Sequence, residues 1–248
     1  MVDIHTHILP GVDDGSRDIH TSLRMLLREQ RDGVDKVILT PHFFCYEESV
    51  DSFLARREEA FARLSEAGAG VTLPELKLGA EVAYDPELIN ADLSRLTLGG
   101  SRYLLLELPF RSYPTFVAAL LDRMFDQGLV PVLAHVERFG YFREKPDLLY
   151  DLIDRGALSQ LNADNVAAAK GAGSFTAACL TSGMSQFIAS DAHDLVKRPP
   201  CCDAAMQLLD SDARASVESF ENAVWNDEVT PPVDFRRIKK TVFGKYRI

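Results

Sequence analysis

Cysteines are scarce in this chain, and their spacing excludes the common cysteine-based sites. The four cysteines form no C-x-x-C pair and no zinc-ribbon spacing: Cys45, Cys179, Cys201 and Cys202. Adjacent cysteines rarely pair with each other, so the spacing predicts neither a disulfide framework nor a structural zinc site. We therefore expect free thiols in the reducing environment of the cytosol.

Long apolar runs and an excess of positive charge are also missing. No stretch approaches the ~20 apolar residues that a membrane helix requires, and the N-terminus shows no basic segment followed by an apolar run. The 27 Lys and Arg are outnumbered by 37 Asp and Glu, and the net charge of −10 argues against general nucleic-acid or acidic-membrane binding. These absences predict a cytoplasmic protein with no direct membrane insertion and no nucleic-acid partner, although a membrane-bound protein partner is compatible with them.

The composition suits one globular domain. The chain has 248 residues, of which 46% are hydrophobic and 26% are charged, enough to bury one large core. The sequence shows no internal repeat, low-complexity tract or linker, so we expect a single domain over residues 1–248. The segment 229–248 differs, because it holds six basic residues and no acid from Arg236 onward. We expect a basic C-terminal tail, solvated or packed as a last helix, with a docking arm for an acidic partner as the alternative.

Short apolar runs alternate with amphipathic segments. Seven runs are predicted as β-strands: Val2–His5, Lys36–Thr40, Leu76–Glu81, Tyr103–Leu108, Val130–His135, Ser159–Asn162 and Gln186–Ser190. Helical spacing predicts three buried faces: Ile19, Leu23, Leu26 and Leu27 after a cap at Ser16 or Asp18; Phe53, Leu54, Ala60, Phe61 and Leu64; and Val117, Leu120, Leu121, Met124 and Phe125, closed by Gly128. This alternation indicates parallel βαβ units, in a closed barrel or an open doubly wound sheet.

Imidazole and carboxylate side chains stand at the ends of most of these strands. They occur in DIHTHILPGVDDG (Asp3–Gly15), TPHF (Thr40–Phe43), GAEV (Gly79–Val82), LLLELP (Leu104–Pro109), AHVERF (Ala134–Phe139) and ASDAH (Ala189–His193). Both groups are ligands that divalent metals prefer. An open sheet feeds its crevice from a few strands, whereas a ring of strands aims six ends at one point. We therefore predict an α/β fold, a distorted seven-stranded parallel (β/α)7 barrel, with a multi-metal hydrolase site at the C-terminal ends of the strands.

The motifs resemble those of the polymerase-and-histidinol-phosphatase (PHP) superfamily, and within it the manganese-dependent protein tyrosine phosphatases of bacterial capsule and exopolysaccharide loci. The Q-x-N of Gln160–Asn162 and the SDAHD…RPP stretch (Ser190–Pro200) follow in family order, so the resemblance covers almost the whole chain. It implies a PHP-type barrel that hydrolyses phosphotyrosine on a protein. The implied substrate is a tyrosine-phosphorylated bacterial tyrosine kinase at the membrane, which controls polysaccharide synthesis.

The resemblance also implies three metal ions in one site. Carried over residue by residue, the first ion is held by His5, His7, Glu81 and Asp191; the second by Glu81, Glu107 and His135; and the third by Asp14, His42 and His193. Nine donors are too many for one ion and sufficient for three. Carboxylates favour Mn²⁺, while the five imidazoles would also satisfy Zn²⁺, and Fe²⁺, Co²⁺ or Mg²⁺ are further candidates.

The expected chemistry is phosphomonoester hydrolysis by a metal-bridging hydroxide, since metal binding lowers the pKa of water to ~7. Arg138 and Arg198 match arginines that the family uses towards phosphate, and a guanidinium can grip two phosphate oxygens. A metal-bound water, Asp14 or His193 would supply the proton to the leaving phenolate. No cysteine has an arginine six residues on, so phosphocysteine catalysis is excluded.

Two other functions compete with this expectation. Relatives that hydrolyse histidinol phosphate tend to have histidine where this chain has Asp14 and Glu107, which favours the tyrosine-phosphatase branch. A small-molecule phosphatase, such as a histidinol-phosphate phosphatase, is the alternative. A degenerate barrel retained as a binding subunit is the third hypothesis, which the complete ligand set disfavours.

Several neighbouring residues have a predicted place outside the ligand set. Spacing alone allows Asp13 instead of Asp14, and only the resemblance selects Asp14. We expect Asp3 to support a histidine, Glu137 to form a salt bridge or support a ligand, and His20 to lie outside the site. Three aromatic residues in the loop after His42 are predicted to wall a pocket for an aromatic ring: Phe43, Phe44 and Tyr46.

Overall fold

The structure of the protein is a computed structural model that describes residues 1–169 and 173–248. Its strands are β1 (Val2–Thr6), β2 (Lys36–Leu39), β3 (His42–Phe43), β4 (Glu75–Leu78), β5 (Glu81–Ala83), β6 (Tyr103–Glu107), β7 (Val130–Leu133), β8 (Leu158–Asn162), β9 (Phe187–Ala189), β10 (Lys239–Lys240) and β11 (Tyr246–Arg247). Its α-helices are α1 (Ile19–Arg31), α2 (Val50–Ala67), α3 (Val117–Asp126), α4 (Gly140–Glu144), α5 (Asp147–Asp154), α6 (Ala163–Ala168), α7 (Phe175–Thr181), α8 (Cys202–Met206) and α9 (Ser211–Asn226).

The first nine strands form two parallel sheets that follow each other. One sheet has the order β1-β2-β4, and the other has the order β3-β5-β6-β7-β8-β9. Two residues separate β2 from β3, one of them Pro41, which has no N–H to donate to a neighbouring strand. A parallel bridge between Thr6 and Ala192 links the end of β1 to the segment after β9. The fold is therefore mixed α/β with a curled parallel sheet, and the C-terminal ends of its strands share one face.

Helix α1 shows how local chemistry sets the orientation of a helix. The side chain of Asp18 accepts a hydrogen bond from Thr21 N at 2.8 Å, so Asp18, rather than Ser16, is the N-cap. The Ser22 hydroxyl donates to Ile8 O at 2.6 Å, which places the side of α1 that carries Ser22 against the protein interior. Met25 is therefore fully buried, whereas Leu27, predicted on the buried face, is 44% exposed. The prediction for Leu27 was wrong because this polar contact shifts the buried face.

The other two predicted helices bury their apolar faces as expected. Helix α2 begins after the N-cap Ser49 and buries four of the five predicted residues: Phe53, Leu54, Ala60 and Leu64. Helix α3 also buries four: Val117, Leu120, Leu121 and Met124. The chain leaves α3 through Gly128, whose φ of +76° lies in the left-handed region that glycine adopts without strain. Both helices contribute to one large apolar core.

The C-terminal tail after α9 folds back on the molecule. Its last residues form the short antiparallel pair β10–β11 rather than a helix. Ile238 is buried, and the Tyr246 hydroxyl donates to Arg143 O of α4 at 2.8 Å. Among the helices within the two described ranges, none has the length and apolar composition needed to span a bilayer.

Candidate metal centre

The predicted ligands lie together at the C-terminal ends of the strands. His5 is in β1 and Glu107 ends β6, while the others stand in short strands or in the loops that follow them. Within the described parts of the chain, seven of the nine fall into groups whose donor atoms lie close enough to hold a metal ion: His5, His7, Asp14, His42, Glu81, Glu107 and His193. The other two contact members of these groups directly: Asp191 contacts His5 and His7, and His135 contacts Glu81 and Glu107.

The innermost donors surround one point. The Nε2 atoms of His5 and His7 are 3.1 Å apart, and Glu81 Oε2 lies 3.2 and 3.1 Å from them. Asp191 Oδ1 is 3.4 Å from each of the two imidazole nitrogens. Donors of a single ion have such separations when each ligand bond is about 2.1 Å long.

Glu81 connects this group to a second one. Its Oε2 faces His5 and His7, whereas its Oε1 lies 3.0 Å from His135 Nε2. The same nitrogen is 3.3 Å from Glu107 Oε1. The two oxygens of one carboxylate therefore face two separate sets of donors.

Asp14 lies at the outer side of the cluster. Its Oδ1 is 3.5 Å from His42 Nε2 and 3.4 Å from His193 Nε2, and its side chain is 67% exposed. The His7 ring lies 3.9 Å from the His193 ring between their centroids, so this outer set adjoins the innermost donors. His42 Nδ1 also reaches Glu81 Oε2 at 3.0 Å. The donors form one continuous cluster.

Hydrogen bonds fix which nitrogen of three histidines is free to bind. His5 Nδ1 donates to Gln160 Oε1 at 3.1 Å, and His7 Nδ1 donates to Asp13 Oδ2 at 2.7 Å. His193 Nδ1 donates to the backbone oxygen of Asp191 at 2.8 Å. Since each acceptor is an oxygen, Nδ1 carries a proton in all three, which leaves Nε2 as the nitrogen that would bind a metal ion.

The electrostatics of the cluster reflect crowded carboxylates and imidazoles. Burial opposes ionisation of Glu81, but the charges of His5 and His42 hold its pKa well below the ordinary value. Asp191 behaves in the same way: against burial, His5 and His7 hold its pKa well below normal. Both side chains are therefore carboxylates at neutral pH.

The pKa values of the histidines differ across the cluster. Burial opposes protonation of His135, yet Glu107 and Glu81 raise its pKa to about 10. Burial and the charge of His7 lower the pKa of His193 to about 4. His135 thus sits in a surplus of negative charge, which a bound cation would offset.

Two predicted ligands have a backbone conformation that side chains rarely adopt. Among the described non-glycine residues, three have positive φ, and two of these are His135 at +31° and Asp191 at +52°. Such conformations cost roughly 1–3 kcal/mol each and cluster at functional sites. Here they turn the chain sharply where β7 and β9 end, which brings both side chains into the cluster.

Gly15 is required by a close approach to a predicted ligand. A Cβ atom at this position would lie 2.1 Å from His7 O and 2.5 Å from His7 Cβ. Ser16 N also donates to His7 O at 2.9 Å. The loop that carries Asp14 therefore packs directly on the backbone of His7, which explains the glycine that ends the first motif.

The neighbouring acidic residues take different positions. Asp13 accepts hydrogen bonds from His7 Nδ1 and from the backbone N–H of Gly15, so its carboxylate points away from the cluster's centre. Asp3 accepts from the backbone N–H groups of His5 and Ser190 rather than from an imidazole. Asp3 therefore supports His5 through the backbone N–H of that residue and not through its imidazole ring.

Glu137 and His20 have no donor atom in the groups of predicted ligands within the described residues. Glu137 accepts from Asn162 N at 3.0 Å and from Asn165 Nδ2 at 2.9 Å. His20 is exposed on α1. Gln160 belongs to the Q-x-N motif of the sequence, and its position among the ligands is visible only in the structure. Gln160 Oε1 also accepts from His135 N at 2.9 Å, so one amide holds two predicted ligands.

Both predicted arginines reach the cluster through one carboxylate oxygen. Arg138 Nη1 lies 3.3 Å from Asp191 Oδ2, and Arg198 Nη2 contacts the same atom. Asn162 Nδ2 donates to it as well, at 2.8 Å. Each arginine side chain is about one-third exposed, at 35% and 34%, beside a cavity of about 540 Å³. Two guanidinium groups therefore face solvent next to the donors.

The three aromatic residues after His42 do not act together. Phe43 is buried, and its ring packs on Phe53 in the core at 5.1 Å, so its predicted place in a pocket wall was wrong. The alternation of side chains along β3 explains this, because successive residues point to opposite faces. The centroids of the Phe44 and His42 rings are 5.3 Å apart, and the two rings are tilted to each other. Tyr46 is exposed beside Phe44.

A model of the family "Capsular polysaccharide synthesis, CpsB/CapC" matches residues 1–222. The chain belongs to the CpsB/CapC family. It is 32% identical over 219 residues to tyrosine-protein phosphatase YwqE of Bacillus subtilis (strain 168), covering 86% of this chain and 85% of YwqE. It is 29% identical over 224 residues to tyrosine-protein phosphatase CpsB of Streptococcus pneumoniae, covering 84% and 89%.

A solved structure agrees with this CpsB/CapC membership. It comes from the crystal structures of YwqE and CpsB, described as unique metal-dependent tyrosine phosphatases, and superposes with a TM-score of 0.85 at 26% sequence identity. The match covers 96% of this chain and 100% of the other. The family predicted from the motifs is thus confirmed, and so is the coarser part of the predicted fold, an α/β arrangement with a curled parallel sheet.

The donor set fits a metal. Among the residues described, four buried donor atoms of the cluster have no hydrogen-bond partner: His42 Nδ1, Glu81 Oε2, Asp191 Oδ1 and His193 Nε2. Burying unpaired polar atoms is costly, and all four face other donors of the cluster. Imidazole nitrogens and carboxylate oxygens are together the ligands of divalent first-row metals. The CpsB/CapC site can therefore hold metal ions at the positions where these atoms converge.

Proposed function

We propose that this protein is a metal-dependent phosphotyrosine-protein phosphatase. The observation that carries the proposal is the convergence of nine imidazole and carboxylate donors on one face, with Arg138 and Arg198 beside them. Such a site suits an anionic substrate, because metal ions and guanidinium groups both stabilise phosphoryl oxygens. The relatives named as tyrosine-protein phosphatases favour this function over a small-molecule phosphatase.

Three divalent ions, most suitably Mn²⁺, would occupy the site. The first would be held by His5, His7, Glu81 and Asp191; the second by Glu81, Glu107 and His135; and the third by Asp14, His42 and His193. The two oxygens of Glu81, which face different donors, support its place between the first and second ions. The four carboxylates support Mn²⁺, since oxygen-rich sites favour harder cations.

The architecture proposed for this site is a single domain with a distorted seven-stranded barrel. Only two residues separate β2 from β3, and only two separate β4 from β5. Each pair can therefore count as one interrupted strand of a ring. The bridge between Thr6 and Ala192 supports closure between β1 and β9. The tail 229–248 would be an appendage of that domain.

The chain's own residues would bind the phosphoryl group and take part in the proton transfer to the leaving group. When bound, the ions would supply a water acidified to a pKa of about 7 and positive charge against the phosphoryl oxygens. Arg138 and Arg198 would bind the outer phosphoryl oxygens from the cavity side. A proton would pass to the leaving phenolate from a metal-bound water or from whichever of Asp14 and His193 does not bind an ion; Asp14 Oδ1 and His193 Nε2 are 3.4 Å apart.

The proposed substrate is a tyrosine-phosphorylated bacterial tyrosine kinase at the membrane, which would place the enzyme in the cytoplasm. The family's description as capsular polysaccharide synthesis supports a role in the control of capsule or exopolysaccharide production. A site that opens beside exposed residues such as Asp14 and Tyr46 suits a phosphotyrosine carried on a protein surface.

The test is kcat/KM of the metal-stripped protein after reloading with Mn²⁺. A tyrosine-phosphorylated peptide, the same peptide with phosphoserine, and histidinol phosphate are compared. We expect activity to return with Mn²⁺ and to be highest on the phosphotyrosine peptide. A preference for histidinol phosphate would overturn the proposed substrate, and full activity without metal would overturn the metal-dependent mechanism. His42→Ala should lower Mn²⁺ content, and the exposed His20→Ala is its matched control.

A further inference from the structure

A cavity beside the predicted ligands extends further than a phosphoryl group requires. It has a volume of about 540 Å³ and is lined by Arg138 and Arg198 on one side and by Phe110 and Arg143 elsewhere. Pockets for small ligands measure roughly 300–1,000 Å³. The cavity therefore has room for the part of a substrate that adjoins the phosphorylated residue.

The three arginines of this cavity differ in their partners. Arg138 and Arg198 share Asp191 Oδ2, and the Arg138 guanidinium also lies 4.8 Å from the centre of the Phe110 ring. Arg143 lines the same cavity and is exposed. Its side chain forms no ion pair with any carboxylate in the two described ranges, so its charge is available to an anionic ligand.

The carboxylates in the cavity wall do not neutralise Arg143. Glu137 accepts hydrogen bonds from Asn162 N and Asn165 Nδ2, and burial raises its pKa. Asp164 accepts from the backbone N–H of Asn165 at 2.6 Å at the start of α6. Both are held by the chain's own N–H groups rather than by a guanidinium.

The backbone under Arg143 is fixed although its side chain is not. Its N–H donates to Phe139 O at 3.3 Å, and its carbonyl accepts from the Tyr246 hydroxyl at 2.8 Å. The neighbouring Phe142 is completely buried. A cation is thus presented at a constant place on the rim of the cavity, which is what recognition of a specific flanking group needs.

We propose that this cavity is a peptide subsite in which Arg143 binds an acidic side chain near the phosphotyrosine. The inference rests on the proposed function and deepens it, because it assigns a substrate preference to the same face. Arg138 and Arg198 take the phosphoryl group, and Arg143 takes a carboxylate of the flanking sequence. Arg143 is a specificity-determining residue in this scheme, and peptides rich in acidic residues are the preferred substrates.

The experiment compares paired phosphotyrosine peptides that differ by one residue, Glu or Gln, at each of two positions on either side of the phosphotyrosine. The Mn²⁺-loaded full chain should hydrolyse the Glu peptide with about three- to fivefold higher kcat/KM at one or more positions, as an exposed charge pair worth up to ~1 kcal/mol allows. Arg143→Gln should lower this ratio to about one. Arg143→Lys should retain part of it.

Lys145→Gln is the matched control. It removes a positive charge two residues after Arg143, and the Lys145 side chain does not line the cavity. It should keep the wild-type ratio. A wild-type ratio of one at every position, or an unchanged ratio in Arg143→Gln, would overturn the inference while leaving the phosphatase assignment intact. Failure of the wild type to hydrolyse any of the peptides would overturn the proposed function itself, and this inference with it.

Discussion

Two sets of buried carboxyl groups in this molecule are equally shielded from water, yet one set is ionised and the other is neutral. Glu81 and Asp191 face imidazoles at the ends of the strands, and their pKa values are held well below normal despite burial. Glu29 and Glu221 pack around β1, where burial raises the pKa of each well above its ordinary value. A buried carboxyl becomes a neutral acid unless cationic partners converge on it. Burial alone therefore does not identify a ligand, whereas the groups that face the carboxyl do.

Asp191→Asn should have the largest effect of the four substitutions, because it neutralises one of the two ionised buried carboxylates. It removes a negative charge that six side chains of the site contact, including both arginines. We expect Mn²⁺ content to fall and kcat/KM on a phosphotyrosine peptide to drop at least about a thousandfold, as for other residues that act as a unit. Metal analysis and steady-state kinetics check this. Wild-type metal content with full activity would contradict the three-ion arrangement.

Gly15→Ala should displace His7, one of the imidazoles that face Glu81 and Asp191. The added methyl group would collide with the backbone of His7, so either His7 or the Asp14 loop must move. A shift near 1 Å costs roughly a hundredfold in rate, and we expect a loss of kcat/KM of that order. Gly140→Ala is the control, since the nearest atom to its Cβ is 4.0 Å away. Equal activities of the two variants would show that the loop adapts.

Gln160→Ala should act on two ligands at once, but more mildly. The variant loses the acceptor for His5 Nδ1 and for the backbone N–H of His135. Groups that orient metal ligands typically contribute 10–100-fold in affinity or activity, and we expect a decrease in Mn²⁺ affinity within about that range. Titration of the metal-free protein with Mn²⁺ measures it. An affinity equal to that of the wild type would mean that the imidazoles are held by packing alone.

Glu221→Gln should have the smallest effect and a distinctive pH dependence. In the wild type the folded pKa of Glu221 exceeds the ordinary value of 4.5, so the folded state binds the proton more tightly. This contribution to stability is complete below pH 4.5 and is lost as pH rises towards the folded pKa. The variant should therefore gain stability relative to the wild type between pH 5 and pH 8, as urea unfolding at both values can show. Its Mn²⁺ content should stay unchanged, and a pH-independent difference would contradict the raised pKa.

The positions of strands and donors follow from the sequence because both depend on local patterns. Apolar runs fix the strands, and an acidic or imidazole side chain directly after such a run is recognisable without the fold. The same reasoning does not reveal that Glu81 and Glu221 are both buried, since the neighbours of Glu221 include the polar Ser219 and Asn222. Only the arrangement in space brings imidazoles to the first and a backbone N–H to the second.

Other features depend on contacts between distant segments. Gln160 and His5 are 155 residues apart, and Arg198 reaches Asp191 through a turn closed by its own backbone oxygen. The buried face of α1 shifts because Ser22 bonds to Ile8. Such contacts leave no periodic signal, which is why the sequence predicted Leu27 as buried and gave Gln160 no role.

The hydrogen bond from Tyr246 to Arg143 has a consequence for how such enzymes diversify. Tyr246 lies beyond residue 222, where the match to the family model ends, yet it braces the helix at the rim of the cavity. Variation in this last stretch of chain would reshape the entrance without touching any donor of the cluster. The residues that would bind the metal ions and the residues that would determine substrate specificity thus lie on separate parts of the molecule.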